Sequence, residues 1–290
     1  PYVVLLHEEN TLIYFEGDNI ISKVETRLDV EKPTYTGHAD VEGLKSIGWT
    51  DEDIAYYQQY GVNWNEEEDD YHKVSDDNKS LYGVLTCLNI SPYKSRIIHL
   101  PKIDTSTMTN MSFLFENCNS LVAIPHINTS KVTNMSKMFY YCNSLVCIPP
   151  LDTQNVTDMS YMFSYCTSIT HIPNMNTQKV TKMNQMFQNC YGILKIPQMD
   201  TQNVTDMSSM FNGCNTLLTI PPMDTQNVTK MSNMFQNCFC LINIPPMDTQ
   251  NVTNMNSMYL NCYCITNIFP MNTQKVTNMS SMFSGCRSLC

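Results

Sequence analysis

Sliding the sequence against itself by 24 residues aligns nearly everything after about residue 96, and this period constrains the fold more than any other feature. Cysteines recur at Cys118, Cys142, Cys166, Cys190, Cys214, Cys238, Cys262 and Cys286, each three residues after an aromatic residue: Phe115, Phe139, Phe163, Phe187, Phe211, Phe235, Tyr259 and Phe283. All 21 methionines fall in this region, most of them in two further columns, one from Met111 to Met279 and one from Met138 to Met282. A Leu/Ile column runs from Leu121 to Ile265, and an isoleucine column, normally followed by proline, from Ile124 to Ile268.

Within one unit, Val156, Met159, Met162, Phe163 and Cys166 have the spacing of one helical stripe, which predicts a short helix or 3₁₀ turn. Thr157 then caps its free N–H groups and Asp158 complements its first turn. Leu145 and Ile148 become inward anchors of a short strand that Pro149 terminates. Eight such coils, stacked parallel at about 4.8 Å, give a sheet and a continuous core roughly 40 Å long. The expected class is an α/β repeat solenoid over residues 96–290. The chain ends inside a ninth unit without a terminal cap, which predicts further chain, a covering partner or a homo-oligomer.

The motif Phe-x-x-Cys-x-x-Leu-x-x-Ile-Pro at this period resembles the BspA-like leucine-rich repeats. Its Asp-Thr-x-x-Val-Thr-x-Met-Ser-x-Met-Phe form is similar to a subfamily of surface proteins from Bacteroidales, mycoplasmas and their phages. The resemblance implies a right-handed solenoid with short strands on one face, and no catalytic residues. The stretch GWTDEDIAYYQQYGVNWNEEEDDYHKVSDDNKSLYGVLT resembles a module that precedes such repeats in gut Bacteroidales and in crAss-like phages.

Residues 1–95 are a different object. They hold 19 acidic residues against 7 Lys/Arg, whereas residues 96–290 hold 8 against 10. Two strands are expected in YVVLLHEENTLIYFEGD. Thr50 and Asp53 resemble a capping box for a helix through about Tyr60, with Gly61 ending it, and a second helix is expected over 76–85. This small α+β domain would cap the first coil and dock onto a neighbouring virion or surface-assembly protein. An acidic front half and a near-neutral remainder argue against nucleic acid, and no apolar run approaches a membrane span.

Each candidate site has a plainer alternative. Met159, Met162 and Cys166 could hold copper(I) if they stood alone, but repeated eight times beside Phe163 they read as core. The column cysteines then form a buried, reduced ladder, and the unpaired remainder of the 13 cysteines, Cys87, Cys147 and Cys290 among them, suits assembly in a reducing compartment. Cys240 and Cys264 sit on adjacent coils and could cross-link if exposed and oxidised. Asn155, Asn203, Asn227 and Asn251 begin Asn-x-Thr triplets, read as turn chemistry in place of glycosylation. The threonine column from Thr105 to Thr273 runs beside the capping threonines like an ice-binding ladder, but such arrays alternate on one strand, whereas these threonines sit four apart around a turn. Glu66 to Asp70 is a solvated charge run and not a calcium loop. His99 and His171 share a column but lie three coils apart, and no acid, base or nucleophile departs from the repeat. No catalytic group, metal or cofactor is expected.

The column preceding the strand isoleucine varies instead: His99, Ala123, Cys147, His171, Lys195, Thr219, Asn243 and Asn267. Variety there serves recognition, although drift at solvated positions would produce it as well. The expectation is a non-enzymatic recognition or adhesion module on a phage particle or bacterial surface, binding a host glycan or protein. The alternative is a structural virion or surface-assembly protein with the repeat as a spacer.

Overall fold

The computed structural model describes residues 2–6, 11–16, 19–25, 51, 105–124 and 126–289. The N-terminal strands are β1 (Tyr2–Leu6), β2 (Thr11–Glu16) and β3 (Asn19–Glu25), an antiparallel sheet in the order β1-β2-β3. The two expected strands are β1 and β2, paired from Tyr2 with Phe15 to Leu6 with Thr11, and β3 extends the sheet across a bulge at Tyr14/Phe15. Asp51 is helical; the remainder of both expected helices, the acidic run and Cys87 lie outside the described residues.

The repeat coils as a solenoid, but among the described residues its units contain neither the helix or 3₁₀ turn nor the strand that the spacing predicts. In the unit containing Cys166, the N–H groups of Met159, Tyr161, Phe163 and Tyr165 donate forward to the carbonyls of Lys182, Asn184, Met186 and Gln188 on the next coil, at 2.7–3.0 Å. The intervening Met162, Ser164 and Cys166 bond back three residues within their own coil, at 2.9–3.2 Å. Tyr161 and Tyr165 have φ of 59° and 64°, the left-handed value that type II turns require at their third residue. The segment is a string of overlapping turns. A helix does not form here, because alternate N–H groups are spent on the next coil and not on the carbonyl four residues back.

Parallel pairing occurs as single-residue bridges, continuous through Asn110, Asn134, Asp158, Lys182, Asp206, Lys230, Asn254 and Asn278. On the isoleucine segment, where the strands were expected, only Thr219 and Asn243 bridge among the described residues, and the prolines that follow have no N–H to extend the pairing. Thr157 is not a helix cap: its N–H and its hydroxyl both donate to the carbonyl of Thr133, at 2.8 and 3.1 Å. Asp158 accepts the Ser160 N–H instead of complementing a helix dipole.

The predicted stripe is nonetheless the core. Val156, Met159, Met162, Phe163 and Cys166 are fully buried, as are their counterparts in most coils. The aromatic column stacks from Phe115 to Phe283 with centroids 5.5–5.8 Å apart, each ring covering the next. Burial of a Phe or Met side chain contributes about 1.5–3 kcal/mol, so the columns dominate stability. The pattern loosens toward the last described coil, where Val276, Phe283 and Cys286 are only partly buried. Ile268 is 38% exposed because Phe269, standing where other units have proline, takes the interior place, and Met279 is exposed with no described coil beyond it.

Candidate functional site

The variable column divides in two. Ala123 and Cys147 are buried, 1% and 2% exposed, and so do not belong to an outward face; both are small and apolar, and burial pushes the Cys147 thiol up to about 12. His171 is half-buried, and Lys195, Thr219, Asn243 and Asn267 are exposed on four successive coils. Beside them Leu194, Leu218 and Ile242 form an exposed apolar ridge. His99 lies outside the described residues.

The remaining columns are consumed by contacts between coils. Thr105, Thr129, Thr177, Thr201, Thr225 and Thr249 are buried and donate to a carbonyl of the next coil at 2.8–3.0 Å, which rules out an ice-facing array. The amides of Asn155, Asn203, Asn227 and Asn251 donate to the preceding coil at 2.8–2.9 Å, so a glycan on any of them would replace a structural bond. Cysteine thiols from Cys142 to Cys286 donate to the aromatic carbonyl 27 residues earlier at 3.0–3.1 Å. Desolvation pushes the pKa values of Cys166, Cys190, Cys214, Cys238, Cys262 and Cys286 upward. Cys240 is half-buried and Cys264 exposed, and both are thiols. Among the described residues no group of three or more His, Cys, Asp or Glu is placed to hold a metal.

One cluster was not anticipated from the sequence. Every unit has two left-handed residues, four apart, on the turn edge. At the second, Asn117, Asn189, Gly213, Asn237, Asn261 and Gly285 are the residue types that tolerate this backbone, but Tyr141 and Tyr165 also occupy it. At the first, Phe113, Lys137 and Tyr161 precede Gln185 and the smaller residues of later coils. These bulky groups converge. Tyr141 and Tyr165 stack at 4.2 Å, and Tyr140 stands edge-on to Tyr141, Tyr161 and Tyr165. The Lys137 ammonium lies 5.1–5.3 Å from the rings of Phe113, Tyr140 and Tyr161, within cation–π range. The Gln185 amide donates to the Tyr161 hydroxyl. Burial, then the Tyr165 hydroxyl, push Tyr141 up to about 12, and burial raises Tyr140. The legible signal was a tyrosine in a column otherwise filled by Asn and Gly.

A family model described as "Mycoplasma protein of unknown function, DUF285" matches residues 91–196 and again 192–290. No curated protein matches the sequence. Among solved structures, the chain is similar to a T. pallidum leucine-rich repeat protein, at 18% identity over 66% of this chain and 77% of that one, with a TM-score of 0.39. It is similar also to a Bacteroides ovatus leucine-rich repeat protein, at 20% identity and a TM-score of 0.48, covering 67% of this chain and 54% of the other. The chain thus spans little more than half of that protein. A leucine rich cell surface protein of Faecalibacterium prausnitzii aligns at 18% identity over 70% of this chain and 80% of its own, with a TM-score of 0.28. All three scores fall below 0.5, and the architecture rests on the chain's own coils.

Proposed function

The chain belongs to the family described as Mycoplasma protein of unknown function, DUF285, and from that premise we propose that it is a non-enzymatic recognition or adhesion module of a bacterial surface or phage particle. Its ligand is a host glycan or protein. The observation that supports this reading is the contrast between an interior repeated almost without change and an exposed column, Lys195, Thr219, Asn243 and Asn267, that passes from an ammonium through a hydroxyl to two amides. The apolar ridge of Leu194, Leu218 and Ile242 beside it adds contact area, and polar groups bordering exposed apolar surface are the composition of an interaction site. Coils locked by hydrogen bonds hold these side chains at fixed spacing, which lowers the ordering cost of binding.

Saturable binding of the purified chain to intact bacterial cells is the expected result, weakened at least tenfold by Lys195→Glu combined with Leu218→Asp. Absence of saturable binding, or binding that ignores the pair of substitutions, overturns the assignment to this face.

A further inference from the structure

The turn-edge cluster calls for a role beyond the core. The aromatic and methionine columns beneath it stay fully buried in the coils whose left-handed residues are Ser209, Gly213, Asn233, Asn237, Ser257 and Asn261. Core packing therefore does not require a large side chain at these positions. Yet two adjacent coils place Tyr141 and Tyr165 at φ of 62° and 64°, and three place Phe113, Lys137 and Tyr161 at 57–63°. Bulky residues held at strained backbone on neighbouring coils, all on one edge, are the pattern of a functional cluster.

Its chemistry narrows the ligand. Half-buried phenol rings with electron-rich faces are interleaved with hydroxyls, the Lys137 ammonium and the Gln185 amide. A pyranose has the complementary make-up, with weakly positive C–H faces that lie against aromatic rings and a rim of hydroxyls that both donate and accept. Nucleic acid is disfavoured, because residues 96–290 carry 8 acids against 10 basic residues and no basic stripe. We propose that Tyr140, Tyr141, Tyr161 and Tyr165 with Lys137 form a binding site for a pyranose oligosaccharide. The rings take the sugar's C–H face, and the phenol hydroxyls and ammonium bond its hydroxyl rim. This assignment rests on the recognition reading and adds a ligand class and a second face.

The test uses the double variant Tyr141→Asn, Tyr165→Asn, because asparagine already occupies this position in four other coils. Affinity electrophoresis in gels containing xyloglucan, galactomannan or mucin measures binding, with oligo-uridine as a parallel probe. Retardation of the parent chain by at least one polysaccharide is expected, with apparent affinity reduced at least tenfold in the variant and an unchanged or higher melting temperature. Tyr161→Ser, which copies Ser209 and Ser257, should behave alike. No retardation by any polysaccharide, equal retardation of parent and variant, retention of oligo-uridine in place of polysaccharide, or a fall of several degrees in the melting temperature of both variants would overturn the proposal. If parent and double variant hold bacterial cells equally, the tyrosine site fails while the recognition reading survives; if neither holds cells, that reading fails on its own assay.

Discussion

The thiol of Cys166 donates to the carbonyl oxygen of Phe139 at 3.1 Å, joining residues 27 positions apart. The same bond recurs along the column, so each cysteine acts as a small buried donor tying two coils together. This geometry carries a pH dependence. Cys214 is pushed from 9.0 to about 12, chiefly by desolvation. Below pH 9 its thiol is protonated in folded and unfolded chains alike, and the stabilisation is fully present. Between pH 9 and 12 the unfolded chain loses the proton that the folded chain keeps, so stability falls with rising pH, by about 1.4 kcal/mol per pH unit for each such thiol. Urea midpoints measured from pH 7 to 11 should decline steeply above 9. Cys214→Ala should flatten that slope while lowering stability at pH 7. A midpoint independent of pH over this range would count against a buried thiol ladder.

The same geometry bears on metal binding. A copper(I) site at Met159, Met162 and Cys166 would need the Cys166 thiolate, yet this thiol is fully buried, holds its proton well above the ordinary value and uses it on Phe139. The natively purified protein should contain copper far below stoichiometric amounts by elemental analysis. One copper per chain would mean that the sulfur column opens to a metal.

Tyr259 stands in the aromatic column between Phe235 and Phe283, stacked at 5.7 and 5.5 Å. Its hydroxyl is buried without a hydrogen-bond partner. An unsatisfied buried hydroxyl costs about 1–3 kcal/mol, and every other member of the column dispenses with it. Tyr259→Phe should therefore raise stability by about 1 kcal/mol, read as a higher urea midpoint at unchanged slope. A lower midpoint would mean that the hydroxyl contributes to packing.

Much of this architecture was legible in the sequence because burial repeats with the chain. Val156, Met159, Met162, Phe163 and Cys166 occupy the interior as their recurrence demands, and β1 and β2 follow from their apolar runs. The backbone was not legible in the same way. Offsets of three and four are shared by a helical face and by overlapping turns of three to four residues, and what separates them is the bonding of alternate N–H groups to the next coil, a property of the stack and not of one unit. The hydroxyl of Thr157 was read as a cap on the same premise, whereas its partner Thr133 lies 24 residues away. Ala123 and Cys147 were read as outward by column alone, but burial at a fixed column differs from coil to coil. The tyrosine edge was missed for the opposite reason: Tyr141 and Tyr165 lie between core positions, and only their φ values set them apart.

Exposed charges should matter far less than these buried groups. Lys182 pairs with Asp158 at 3.1 Å and Lys230 with Asp206 at 3.3 Å, but both lysines are about 60% exposed. Pairs of this kind contribute about 0–1 kcal/mol and are screened by salt. Lys182→Ala should lower stability by less than about 0.5 kcal/mol, with the difference vanishing in 1 M salt.

Gly213 gives the sharpest contrast with the tyrosines on the same edge. At φ of 78° a side chain is strained, and a Cβ atom would stand 2.2 Å from the Asn189 side-chain oxygen, with the Asn189 Cα at 3.4 Å leaving little room behind it. Gly213→Ala combines the left-handed penalty with displacement of that amide, a cost of about 1–3 kcal/mol. Tyr165→Asn, in the same column, moves toward the backbone's preference and removes one stacked ring worth about 0.5–1.5 kcal/mol, leaving stability near its starting value. The two substitutions should therefore separate in thermal denaturation, Gly213→Ala melting several degrees lower and Tyr165→Asn within a degree or two of the parent chain. If both melt equally low, the turn edge is set by packing of whatever residue is present, and the strain at Tyr141 and Tyr165 loses its significance.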